Sequence, residues 1–133
     1  MYFISREFEF CYGHRLWRYN GKCGNLHGHN AKVRVTLRQN ELNDQEMVMD
    51  FSQIKNGVEQ WIQTHWDHKT ILFQADPLLP LLRESGVDCV EFDSNPTAER
   101  FAQRIYELSI ELKLPVQCVE FWETSKCFAR YEK

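Results

Sequence analysis

The 133-residue sequence predicts an antiparallel α+β fold, and three observations carry that expectation. β-rich runs cluster at the two ends of the chain, apolar residues recur at helical spacing in two stretches between them, and one run alternates apolar and polar residues without interruption. Residues 2 to 10 are rich in Phe, Tyr and Ile and close on Glu7-Phe8-Glu9-Phe10, the alternation of a half-buried strand. In Ala31-Lys32-Val33-Arg34-Val35-Thr36-Leu37-Arg38 every second side chain is apolar, so Ala31, Val33, Val35 and Leu37 share one sheet face. Met47-Val48-Met49-Asp50 is expected as a short strand leading into a helix. Ile54, Val58, Trp61 and Ile62 fall on one side of that helix, and Gly57 weakens it locally. Asn95-Pro96-Thr97 offers capping groups and a first-turn proline to a second helix, whose apolar stripe is Phe101, Ile105, Leu108 and Leu112 and which ends before Pro115. Val116 to Glu123 and Lys126 to Tyr131 then read as a hairpin around Thr124-Ser125. The two helices would cover one face of the sheet.

With 43% hydrophobic and 14% aromatic residues, the chain has material for a core, and no linker or repeat divides it, so one domain over residues 1–133 is expected. Sixteen basic against nineteen acidic side chains leave a net charge of −3, which argues against nucleic acid or an anionic membrane as a partner. No apolar run approaches a membrane span, and Met1-Tyr2-Phe3-Ile4-Ser5-Arg6-Glu7 turns charged too soon for a signal peptide; a soluble, cytoplasmic protein is expected. Five cysteines with no C-x-x-C spacing read as reduced thiols, Cys89, Cys118 and Cys127 as small apolar fillers.

The chemistry concentrates around His27-Gly28-His29. If the secure strand continues backwards, both imidazoles share the face of Ala31 and Val33, since alternate side chains point the same way. An H-x-H pair presents two nitrogens to zinc, and a third neutral imidazole completes the open, three-ligand pattern of catalytic zinc. His14 is the candidate, because antiparallel pairing of the first two strands brings it beside the pair. The bland alternative is three surface or hydrogen-bonded histidines. Cys23, four residues before His27 and next to Lys22, is a candidate base or nucleophile. It could equally be the fourth ligand of a closed, structural zinc site in a non-catalytic protein. Asp67-His68 can form a relay pair in which the carboxylate orients the imidazole, or can simply be a helix terminus, while His65 reads as a solvated helix face. Glu123 would share a face with Val119 and Phe121 and so needs a partner, either an internal ion pair or the paired N–H groups of a ligand.

Together these residues resemble a known family. Cys23-Gly24-Asn25-Leu26-His27-Gly28-His29-Asn30 is similar to the C-x3-HGHN signature of the carboxy-forming, queuosine-pathway branch of the 6-pyruvoyltetrahydropterin synthase family. Phe10 to Leu16, Met47 to Phe51, Asp67-His68, Pro96-Thr97-Ala98-Glu99 and Trp122-Glu123-Thr124 match further blocks of that family in order. The short interval between Cys23 and His27 favours the carboxy-forming branch over the pyruvoyl-forming one. The resemblance implies a T-fold, a four-stranded antiparallel sheet with two helices on one face, whose subunits join their sheets into a β-barrel as trimers or hexamers with active sites between subunits. It implies a zinc-dependent lyase that converts 7,8-dihydroneopterin triphosphate to 6-carboxy-5,6,7,8-tetrahydropterin, acetaldehyde and triphosphate. A 6-pyruvoyltetrahydropterin synthase or related side-chain lyase is the near alternative. By the same resemblance, His14, His27 and His29 hold Zn2+, Cys23 accepts a proton, Asp67 and His68 relay one in a neighbouring subunit's site, and Glu123 grips the pterin, with Glu99 a further pterin contact. Ala31, Arg100 and Trp122 depart from the family pattern. Arg15, Arg18 and Lys22 lie near the segment where a triphosphate would bind, without being assigned to it.

Overall fold

A computed structural model describes residues 1–133. Its frame is two long strands, β1 (Tyr2–His14) and β2 (His27–Gln39), paired antiparallel over their whole length from Tyr2↔Gln39 to His14↔His27. β5 (Val116–Trp122) pairs antiparallel with β2, and β6 (Phe128–Glu132) with β5, which makes the expected hairpin. These four strands are the antiparallel set read from the sequence. The sheet nevertheless has six strands, in the order β4-β3-β1-β2-β5-β6, because two short strands add in parallel at the β1 edge: β3 (Lys69–Phe73) and β4 (Cys89–Phe92).

Alternation divides the sheet into two faces. Phe8, Phe10, Tyr12 and His14 of β1, Ala31, Val33, Val35 and Leu37 of β2, and Val119 and Phe121 of β5 are all buried on one of them. The other face carries polar residues, including the ion pairs Arg34–Glu7 and Arg34–Glu120. The core face is covered by α4 (Ala98–Glu111), whose Phe101, Ala102, Ile105 and Leu108 are buried. Phe101 lies flat on Phe121 at 4.6 Å and 4° and edges onto Trp66. The other expected helix runs as α1 (Phe51–Ile54), a π-helical turn (Lys55–Glu59) and α2 (Gln60–His65). Gly57 sits in the π turn, so its weakening effect appears as one extra residue per turn without an end to the helix. Ile54, Val58 and Ile62 remain fully buried through it.

The short strand expected over Met47 to Asp50 is absent. Asn43 Oδ1 accepts from the N–H groups of Gln45 and Met47 at 2.9 and 3.1 Å, and Asp50 caps α1 by accepting from Ser52 N–H at 2.8 Å. These side chains satisfy a backbone that has no neighbouring strand to pair with. A further helix, α3 (Leu78–Glu84), lies between β3 and β4. No helix is long and apolar enough to cross a membrane.

Candidate metal centre and surrounding cleft

Full-length pairing of β1 with β2 places His14 opposite His27, and His29 opposite Tyr12, all on the core face at one end of the sheet. The ligand atoms of His14, His27 and His29 lie within 4.8 Å of one another. A carbonyl oxygen only accepts, so the contact of each Nδ1 fixes the tautomer. His14 Nδ1 donates to the Pro96 carbonyl at 2.9 Å and His27 Nδ1 to that of Asn25 at 2.6 Å. In the neutral rings both Nε2 atoms are then acceptors, and they face each other 3.1 Å apart, an arrangement that calls for a proton or a cation between them. The Nε2 of His29 is buried and has no partner. Two nitrogens on a tetrahedral zinc, each bonded at about 2.0–2.1 Å, lie roughly 3.4 Å apart, so the donor set and its spacing fit such an ion.

Burial drives the pKa of His14 down to about 4, with His27 and His29 adding to the effect and the Pro96 carbonyl opposing it. Burial also lowers His29, against the pull of Glu123. Both imidazoles are thus held in the ligating, neutral form. Below its ordinary 6.5 the unfolded chain binds the His14 proton that the folded chain refuses, so stability rises with pH between about 4 and 6.5. The melting temperature of the metal-free protein should therefore fall as pH drops through that window, and His14→Gln should flatten the slope. An equally steep slope in the variant would contradict this assignment.

Cys23 lies in the short 3-10 turn Lys22–Gly24, is exposed, and is outside the metal-competent group, so the closed site of one cysteine and three histidines is not assembled. Gly24 is required there, since a Cβ would sit 2.7 Å from the Tyr19 carbonyl oxygen. Glu123 follows β5 with its Oε1 3.8 Å from His14 Nε2, and the buried Tyr12 hydroxyl points to the same oxygen at 3.5 Å. Glu123 and Glu99 wall one hollow of about 160 Å³ with Ala98, Cys127, Phe128 and Ala129. Cys127 is exposed in that hairpin and is no core filler, whereas Cys118 is buried.

Asp67 and His68 follow α2, as the helix-terminus reading had them, and are bonded to each other, His68 Nδ1 to Asp67 Oδ2 at 2.8 Å. Both are fastened to one residue of β1: Cys11 N–H donates to Asp67 Oδ1 at 2.9 Å and His68 N–H to the Cys11 carbonyl at 2.7 Å. His68 reaches a cleft of about 450 Å³ whose walls include Cys11, Tyr12, Gly28, His29, Asn30 and Thr70. His65 is exposed, its ring stacked on Trp61 at 4.2 Å.

Arg15 forms a double ion pair with the fully buried Asp76, its Nε donating at 2.7 Å. Burial alone would raise the Asp76 carboxyl, but Arg15 and the Leu78 N–H outweigh it and hold the group below its usual range. Arg15 is therefore engaged within the fold. Arg18 lies over the Trp17 ring at 4.2 Å. Of the departures noted above, Ala31 is a fully buried core residue and Arg100 donates to Gln103. Trp122 points to the polar face under Lys32 and Arg34, away from Glu123.

The family model described as 6-pyruvoyl tetrahydropterin synthase matches residues 3–133. The chain belongs to that family. Among curated proteins it is similar to 6-carboxy-5,6,7,8-tetrahydropterin synthases. That of Rickettsia typhi is 33% identical, covering 93% of this chain and 95% of the relative, and that of Haemophilus influenzae is 31% identical over the full length of both. Among solved structures, an uncharacterised protein of Wolinella succinogenes superposes with a TM-score of 0.81 at 30% identity, covering 99% of this chain and 98% of its own. The 6-pyruvoyl tetrahydropterin synthase of Caenorhabditis elegans superposes with 0.76 at 24% identity, covering 99% and 95%, which speaks for the shared fold. The α+β T-fold expected from the sequence is thus the fold of this member of the family.

Of the side chains singled out in the sequence, the three imidazoles gather with Glu123, Glu99 and Glu123 share a hollow, the Asp67–His68 pair reaches His29 through the larger cleft, and Cys23 stands apart on its turn. Sequence reasoning missed Tyr12 and the Pro96 and Asn25 carbonyls. Tyr12 was detectable, since it shares the strand face of Phe10 and His14, but a carbonyl contact leaves no mark on residue type.

Proposed function

We propose that the protein is a zinc-dependent lyase acting on 7,8-dihydroneopterin triphosphate, yielding 6-carboxy-5,6,7,8-tetrahydropterin with uptake of water and release of acetaldehyde and triphosphate. The observation that carries this reading is the convergence of three imidazole nitrogens, two of them facing each other at 3.1 Å and the third buried without a partner, beside a carboxylate. His14, His27 and His29 would hold the metal. When bound there, zinc supplies Lewis-acid stabilisation of charge that develops on the oxygens of the substrate side chain.

The protein's own groups do the remaining work. Glu123 takes the paired N–H groups of the pterin's guanidine-like edge, with Glu99 on the far wall of the same hollow. Cys23, exposed at the mouth of its turn, accepts a side-chain proton as thiolate. Asp67 orients His68 to supply or remove the matching proton. The cleft that His68 enters is walled by Cys11 and Asn30 of the polar face and also by Tyr12 and His29 of the core face, so it reaches the edge of the imidazole cluster. The family resemblance gives this relay to the site of a neighbouring subunit, while the shared cleft also brings it to the His29 side of its own cluster. β4 and β6 end the sheet as strands with one unpaired side, available to join sheets in a trimeric or hexameric barrel. The carboxy-forming branch is favoured by the three-residue spacing between Cys23 and His27 and by the names of the curated relatives.

Glu123→Gln tests the substrate contact. It keeps the shape of the side chain and removes its charge, and KM should rise by about ten- to a hundred-fold, the loss of a charge-assisted pair of hydrogen bonds worth about 1.5–3 kcal/mol. An unchanged KM with wild-type zinc content would assign Glu123 to an internal contact.

A further inference from the structure

We infer that Asn95 is the positioning residue that fixes Cys23 relative to the imidazole cluster, an inference that rests on the role proposed above for Cys23. Asn95 is half-buried in the turn ahead of α4. Its Oδ1 accepts from the Trp17 N–H at 2.9 Å, and its Nδ2 donates to the Trp17 carbonyl at 3.0 Å. One side-chain amide thus satisfies both backbone groups of a residue in the connection between β1 and β2, where no strand is present to do so. The bracket needs a donor and an acceptor on one short side chain. Aspartate would keep the acceptor and place a charge against the Trp17 carbonyl; alanine would leave both groups of Trp17 open.

The neighbouring contacts give the bracket its consequence. Pro96, the next residue, supplies the carbonyl that orients the His14 ring, so two consecutive residues hold the metal-binding imidazole and the segment leaving it. Leu16, just before Trp17, donates its N–H to the Cys23 carbonyl at 2.8 Å. Arg15 is clamped by Asp76. The three residues after His14 are therefore tied to the β3–α3 turn, to Cys23 itself, and to Asn95. Because the Cys23 side chain is exposed, its place is set by this backbone. A displacement of about 1 Å in a reacting group costs about a hundred-fold in rate, and that is the scale on which the bracket acts.

The test compares Asn95→Ala and Asn95→Asp with wild type as zinc-loaded protein, on two readouts. In turnover, Asn95→Ala should lower kcat by about ten- to a hundred-fold with KM within about two-fold and zinc content unchanged, and Asn95→Asp should fall between. In iodoacetamide alkylation followed peptide by peptide, the Cys23 rate should change at least about three-fold relative to that of Cys127, the other exposed cysteine. A variant that melts earlier yet keeps kcat and the Cys23 alkylation rate within about two-fold of wild type would overturn the inference and leave Asn95 a structural residue only. If Asn95→Ala does not accumulate folded, Asn95→Asp decides by the same two criteria. Should wild type fail to turn over the pterin triphosphate, the functional reading falls, and the alkylation ratio alone still decides whether Asn95 positions Cys23.

Discussion

His27→Ala is expected to strip zinc from the protein and to lower kcat/KM by at least about a thousand-fold, since several kcal/mol of charge stabilisation is lost at about 1.4 kcal/mol per decade. His27 is the better position to test than His14. The His14 ring is 2% exposed and packs against Tyr12 at 5.0 Å, so its removal opens a core cavity and confuses metal loss with unfolding. His27 is only half-buried, and its ring contacts are with the two other imidazoles. Its loss leaves two nitrogens, too few for tight binding at a three-ligand site. Zinc content after gel filtration, circular dichroism and kcat/KM together check the result. A folded His27→Ala protein that retains a full equivalent of zinc and its activity would place the metal elsewhere.

Cys23→Ala should behave in the opposite way toward metal. Zinc should stay fully bound and the fold intact, while kcat falls by about a hundred- to ten-thousand-fold, the usual contribution of a positioned proton acceptor. The physical ground is placement: the thiol lies outside the group formed by the three imidazoles and is exposed, so its removal takes no ligand and leaves no cavity. A closed site of four ligands makes the contrary forecast, that Cys23→Ala loses zinc and melts at a lower temperature. Metal analysis of Cys23→Ala therefore separates an open site of three imidazoles from a closed site of four ligands without reference to any substrate.

The parts of this fold legible in the sequence are those whose pattern repeats along one element. The alternation from Ala31 to Arg38 placed β2, and continuing it backwards by two residues put His27 and His29 on the core face where they are found. Phe101, Ile105 and Leu108 of the expected stripe are buried on α4, whereas Leu112 is its exposed C-cap, and the Asn95-Pro96-Thr97 start supplies the N-cap, Thr97 accepting from Arg100 N–H. β3 and β4 escaped because a strand of five or four residues with both faces partly covered shows an apolar run without alternation, as in Ile71-Leu72-Phe73. α3 escaped for a related reason, being two turns long with Pro80 inside it. Met47 to Asp50 misled in the other direction: its composition suits a strand, but pairing depends on a neighbour, and here Asn43 takes the Met47 N–H while Asp50 caps the helix that follows. At the candidate site, the ligating residue types and their spacing were readable, whereas the carbonyls of Pro96 and Asn25 and the Asn95 bracket arise from parts of the chain brought together only by folding.

Cleavage of a reduced pterin's side chain at the imidazole cluster is the activity on which every role proposed for these residues depends. It is tested most directly by incubating zinc-loaded protein with 7,8-dihydroneopterin triphosphate without oxygen and identifying every product by mass spectrometry. The expected product is 6-carboxy-5,6,7,8-tetrahydropterin with one equivalent each of acetaldehyde and triphosphate. A 6-pyruvoyl product without acetaldehyde would overturn the carboxy-forming assignment, and no conversion by protein with its zinc fully bound would rule out a lyase acting on this pterin triphosphate.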